Sequence, residues 1–173
     1  MAPASRTLLQ KILRGVGFAT LGLAALAAMA YAIRSNPVGP ISGRALRGEL
    51  VATPVDDWSF TDEHSLIAVE TRPAEPHSVT TICFTHEGVL YVPASGGSAK
   101  AWPHFAVSDP NSRILVDGRI YPVRLTRVTD ASLVPDLRMA VAAKYDFVSA
   151  DDPPAEDIWV FRVDSAIPDV AAD

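Results

Sequence analysis

Nineteen consecutive residues, Gly15 to Ile33, carry no charged side chain, and they constrain this chain more than any other feature. Arg6, Lys11 and Arg14 precede the run and Arg34 closes it. At a rise of about 1.5 Å per residue, such a run as a helix is just long enough to cross a hydrocarbon core of about 30 Å. It reads as a transmembrane helix or signal anchor. The alternative is a cleaved signal peptide, because Ala28-Met29-Ala30 supplies a small-residue cleavage pattern. Span length favours the anchor. Lys and Arg are evenly split between the two flanks, but the N-terminal cluster is tighter and its tail shorter. An inner-membrane, single-pass chain with its C-terminal part outside the cytoplasm is therefore expected.

Charge narrows the partners. The chain holds 15 Lys+Arg and 20 Asp+Glu. Setting aside the four cations that flank the apolar run leaves eleven basic against twenty acidic residues. Non-specific nucleic-acid binding rests on neutralising phosphates, so a domain this acidic argues against it. Cys83 is the sole cysteine, which excludes an intramolecular disulfide and a cysteine-rich zinc site. His64, His77, His86 and His104 show no metal-ligand spacing, and no metal site is expected. Phosphate-loop, zinc-protease and nucleophile-elbow motifs are absent. No catalytic residue stands out.

The expected organisation is a basic tail over 1–14, the membrane segment over 15–33, a linker over 34–58, a folded domain over 59–168 and a tail over 169–173. The linker is broken by Pro37, Gly39, Pro40, Gly43, Gly48 and Pro54. A domain of about 110 residues suffices for one hydrophobic core. Leu66, Ile67 and Val69 begin a strand. Ser78–Thr85 is rich in β-branched and aromatic residues and is expected to pair with Val89–Ala94 across a short glycine turn. Pro93 cannot donate to a ladder and marks a strand end or edge. Ala101–Ser108 reads as a short helix. Asp117-Gly118 is a preferred hairpin turn, and it sets Leu115 opposite Ile120 and Ile114 opposite Tyr121. Leu133, Leu137, Val141 and Tyr145 recur every four residues, an amphipathic stripe on a helix between Thr129 and Tyr145. Ile158–Val163 is a last strand. About six short antiparallel strands with one or two helices point to a small barrel.

The loop Ser95-Gly96-Gly97-Ser98-Ala99-Lys100 is the candidate binding element. Small residues let backbone amides approach an anion, hydroxyls bond phosphate oxygens, and Lys100 adds a positive charge. A helix begins directly after it, and its N-terminus favours an anion further. The competing reading is a mobile hairpin exit with a solvated lysine.

Glu87-Gly88-Val89-Leu90-Tyr91, Ser95 with Lys100, Asp109-Pro110 and Gly118-Arg119-Ile120-Tyr121 stand in an order that resembles the flavin-nucleotide-binding split barrels. These are the pyridoxamine 5'-phosphate oxidase-like and deazaflavin-dependent nitroreductase-like proteins. The likeness covers Pro76 to Asp130. It implies a six-stranded split barrel, a homodimer, and FMN or a deazaflavin bound at the subunit interface by an oxidoreductase-like protein. Lys100 and Ser95 would hold the cofactor phosphate, Thr80 and Thr81 would lie near the phosphate or ring, and Trp102 near the ring. Where nitroreductase-like members carry a basic glycine-rich loop, this chain has Thr71-Arg72-Pro73-Ala74-Glu75-Pro76. The alternative is therefore a split barrel that has lost the cofactor and serves as a binding or assembly module.

Overall fold

A computed structural model describes residues 13–18, 20–26, 28–29, 35–149 and 156–166. The chain divides into two compact units, one ending at Arg34 and one beginning at Ser35. The described residues of the first unit are helical, and Phe18, Leu21, Leu23 and Leu26 are exposed. Among the described residues no helix is long and apolar enough to cross a membrane. The transmembrane helix expected over 15–33 is not found there. That span also takes in residues 19, 27 and 30–33, which lie outside the described residues.

The second unit is built from strands β1 (Glu49–Leu50), β2 (Ile67–Thr71), β3 (His77–Thr81), β4 (Phe84–His86), β5 (Val89–Ser95), β6 (Asn111–Val116), β7 (Arg119–Arg127) and β8 (Ile158–Ser165). Helix α1 (Ala101–Ser108) follows β5, and helix α2 (Val134–Lys144) lies between β7 and β8. Neighbours run in the order β3-β2-β6-β7-β8-β5-β4, all antiparallel, with β1 parallel to β7.

Connectivity makes this sheet a barrel. Strands β3 and β4 lie at opposite ends of the hydrogen-bonded order, yet only Ile82 and Cys83 join them. Three Cα steps reach at most about 11 Å. A flat seven-strand sheet with neighbours about 4.8 Å apart is far wider than that. The sheet must therefore curl until its ends meet, leaving a split where no ladder forms.

The same break corrects the first expected hairpin. Ser78–Thr85 is not one strand paired with Val89–Ala94. Its first half, in β3, pairs with β2, Ile67 opposite Thr81 and Val69 opposite Val79. Only Phe84–His86 pairs with Val89–Tyr91. The run gives two strands, which raises the antiparallel count from the expected six to seven. Buried backbone polar groups at such a break need new partners. Tyr145 supplies them. Its hydroxyl accepts from the Cys83 N–H at 3.2 Å and lies 2.7 Å from the carbonyls of Cys83 and Ser65. Pro93 sits in β5 beyond the end of β4, where only β8 pairs with the strand.

The second hairpin has the expected register, Ile114 opposite Tyr121 and Leu115 opposite Ile120. Asp117 and Gly118 both have positive φ, as this tight turn requires. Alternation along β6 sends Ile114 and Val116 inward, where they meet Val69, Val123, Leu125, Phe161 and Val163. Trp102 and Ala106 of α1 pack into this core. The stripe on α2 lies against the outside of the sheet, Leu137 and Tyr145 clustering with Phe84 and Tyr91.

Residues 35–58, read above as linker, have places on the barrel. Leu46 and Trp58 are buried. Glu49 pairs with Arg119 and Leu50 with Ile120. The Leu46 N–H donates to Glu70 Oε2 at 2.6 Å. Glu70 is fully buried, and its other oxygen accepts from Arg113 Nε at 2.9 Å and Nη2 at 2.5 Å. One carboxylate thus ties the N-terminal strap to two strands of the sheet.

Candidate functional site

The split opens onto a cavity of about 780 Å³. Its floor is the outer face of β5 and β8, where Pro93 pairs with Val160 and Ser95 with Ile158. Helix α2 forms one wall through Val134, Leu137 and Val141, and Phe147 and Val148 close the side beyond it. Thr81 stands at the split itself and donates its hydroxyl to the Pro93 carbonyl at 3.2 Å, bridging strands that share no ladder.

Three of the five residues singled out in the sequence come together here. Thr81, Ser95 and Lys100 line the cavity. Thr80 does not, because successive side chains of a strand point to opposite faces, and Thr80 stands opposite Ala68, a residue packed with Leu46 and Ile120. Trp102 does not line it either. It is buried in the barrel interior with its ring 5.3 Å from that of Phe161. Arg138 of α2, absent from the sequence reading, lines the cavity. No sequence signal marked it: only the packing of α2 beside the split brings Arg138 to the cavity that Lys100 also lines.

The loop after β5 is not open as an anion cradle. It is fastened to the start of β8. The Gly97 N–H donates to the Asp157 carbonyl at 2.9 Å. The Asp157 carboxylate accepts from the Ser98 N–H at 3.0 and 3.1 Å and from its hydroxyl at 2.6 Å. The N–H groups of Ala99 and Lys100 turn back to the Gly96 carbonyl at 3.1 and 3.2 Å. Hydrogen bonding from the Ser98 hydroxyl holds the Asp157 carboxyl below its ordinary value of 3.8. A Cβ at Gly97 would overlap the Trp159 ring. That ring is held in turn by the Arg127 guanidinium 3.5 Å above it and by His104, whose ring lies 4.9 Å away. His104 Nε2 also lies 2.9 Å from the Ser98 carbonyl. An acidic side chain therefore sits where the amides alone would have received a phosphate.

Cys83, between the lining residues Ile82 and Phe84, is fully buried. Burial pushes its thiol above the ordinary 9.0, although Lys144 Nζ stands 3.6 Å away. Burial also pushes the Tyr145 hydroxyl up to about 12. Both groups stay protonated at neutral pH, which suits their place at the strand break and gives them no nucleophilic character.

No family model matches the chain, and no curated protein does. Solved structures do. A conserved hypothetical protein, Rv2991, from Mycobacterium tuberculosis is 15% identical, with a TM-score of 0.51 over 61% of this chain and 76% of that one. A putative pyridoxamine 5'-phosphate oxidase from Listeria innocua is 17% identical, with a TM-score of 0.45 over 60% and 86%. An FAD-binding protein from Mesorhizobium loti is 13% identical, with a TM-score of 0.43 over 60% and 82%. At 15% identity, what this chain shares with the Rv2991 protein is the fold.

Proposed function

We propose that this chain is a split-barrel protein that binds a flavin-type nucleotide in the cavity at the split. The observation that carries the reading is one cavity of about 780 Å³ lined by Thr81, Ser95, Lys100, Arg138 and Ser149 among otherwise apolar side chains. That volume falls in the range of about 300–1,000 Å³ used for cofactors and small ligands. The donor set suits the group. The apolar side chains of α2 and β8 would accept a planar ring, and the hydroxyls and cations of the lining would accept a phosphate. Lys100 and Ser95 would hold the phosphate, with Thr81 beside it. Thr80 and Trp102 would support the site without touching the ligand. A bound FMN or deazaflavin would supply hydride or electron transfer, while the protein binds, orients and keeps water from the ring.

Titration of the full chain in detergent with FMN, and separately with a deazaflavin nucleotide, tests this by absorption and fluorescence. Saturable binding at micromolar affinity or tighter, about 8 kcal/mol, is the expected result. No uptake of either would sink the flavin reading. A second reading is favoured by the internal pairing of the loop amides with Asp157. It is a cofactor-free binding module of the same fold, and the colourless outcome is its signature.

The uncharged run from Gly15 to Ile33 supports a further part of the proposal, that the chain is held at the inner membrane with its barrel outside the cytoplasm, and the sequence resemblance adds a homodimer. The full chain is expected to stay in the membrane pellet after alkaline carbonate extraction and to migrate as a dimer in detergent. Release into the supernatant would remove the anchor.

A further inference from the structure

We infer that the cavity selects an organic anion whose charged group is held between the side chains of Lys100 and Arg138 rather than on the backbone amides of the loop. The inference rests on the reading of this cavity as the ligand site and names what holds the ligand's charge there.

Three observations converge. First, the loop has no amide to offer between Gly97 and Lys100. All four N–H groups are engaged, two of them by Asp157. A phosphate seated on that loop would have to displace a carboxylate of its own sign. Second, Lys100 and Arg138 both line the cavity, and among the described residues no aspartate or glutamate does. Neither cation makes an ion pair among the described residues. Arg138 has one long hydrogen bond, from Nη2 to the Ser149 carbonyl at 3.4 Å, which leaves most of its five N–H donors for a ligand. Third, the two cations come from different elements. Lys100 ends the loop after β5, and Arg138 lies midway along α2. A bidentate guanidinium with a lysine point charge suits a phosphate or carboxylate. The remaining walls are apolar and take the ligand's body.

The test compares ligands that differ only in the anion. FMN and riboflavin share the ring, and dodecanoate and dodecanol share the chain. Wild type is expected to bind FMN at least tenfold tighter than riboflavin. Arg138→Gln and Lys100→Gln should each erase about tenfold of that preference and leave riboflavin affinity unchanged. Arg138→Lys should restore part of it. An FMN-to-riboflavin ratio that Arg138→Gln leaves intact overturns the inference while the flavin reading stands. If neither flavin binds, the flavin reading fails, and the lipid pair decides. A dodecanoate preference lost in Arg138→Gln supports the anion site, and no preference in either pair overturns it. Arg138 is half-buried on a helix surface, so a thermal melt of each variant separates loss of fold from loss of contact.

Discussion

Replacing Glu70 with alanine should lower the stability of the barrel by about 3–5 kcal/mol, the range for removing one partner of a buried ion pair. Glu70 is fully buried, and three donors converge on it: Arg113 Nε, Arg113 Nη2 and the Leu46 N–H. Alanine leaves a guanidinium that is only one-third exposed without its counter-charge. It also leaves the strap amide without an acceptor, at a further desolvation cost. The loss is read from urea unfolding with the midpoint and slope both fitted. Glu70→Gln keeps an acceptor for one donor and should fall between the two. Amide exchange at Leu46 should quicken in both variants, because the strap loses its buried anchor. A loss below about 1 kcal/mol for Glu70→Ala would mean that the strap and Arg113 repack without it.

Trp102→Ala should cost about 3–5 kcal/mol, as large aromatic truncations in a packed core do. Trp102 is 4% exposed and packs against Phe161 with the barrel strands. The sequence resemblance implied a role for it beside the cofactor ring. The two roles differ in what they change. A core residue alters the unfolding midpoint and leaves ligand affinity alone when Trp102→Phe keeps most of the volume. A ring contact would alter affinity in Trp102→Phe at nearly constant stability, and that result would return Trp102 to the site.

Much of the barrel was legible because its signals are local. Asp117-Gly118 fixes a turn type, the turn type fixes register, and Ile114 accordingly meets Tyr121. The four-residue recurrence from Leu133 to Tyr145 marks a helix face whatever it packs against. Ser95 and Lys100 were legible as a candidate site because small residues and a lysine stand out in an acidic chain. Arg138 was not. A lone arginine on a helix surface is ordinary until that helix is laid beside a particular strand. Asp157 was also beyond reach, since nothing in a sequence says that a carboxylate 59 residues later will take up the amide of Ser98.

By itself the sequence determined the kinds of local structure, the register of the Asp117-Gly118 hairpin and the acidic balance that argues against nucleic acid. Each is set by residues within a few positions of one another or by composition alone. Only the tertiary structure decided that Ser78–Thr85 breaks into two strands at Cys83. A β-branched run favours a strand but cannot choose its partner, and the choice fell to the curl of the sheet and to Tyr145, 62 residues away, which satisfies the backbone at the break. The cavity is decided at the same level: it lies where helix α2 is laid beside the split, over Pro93 and Ser95 of β5 and Ile158 and Val160 of β8.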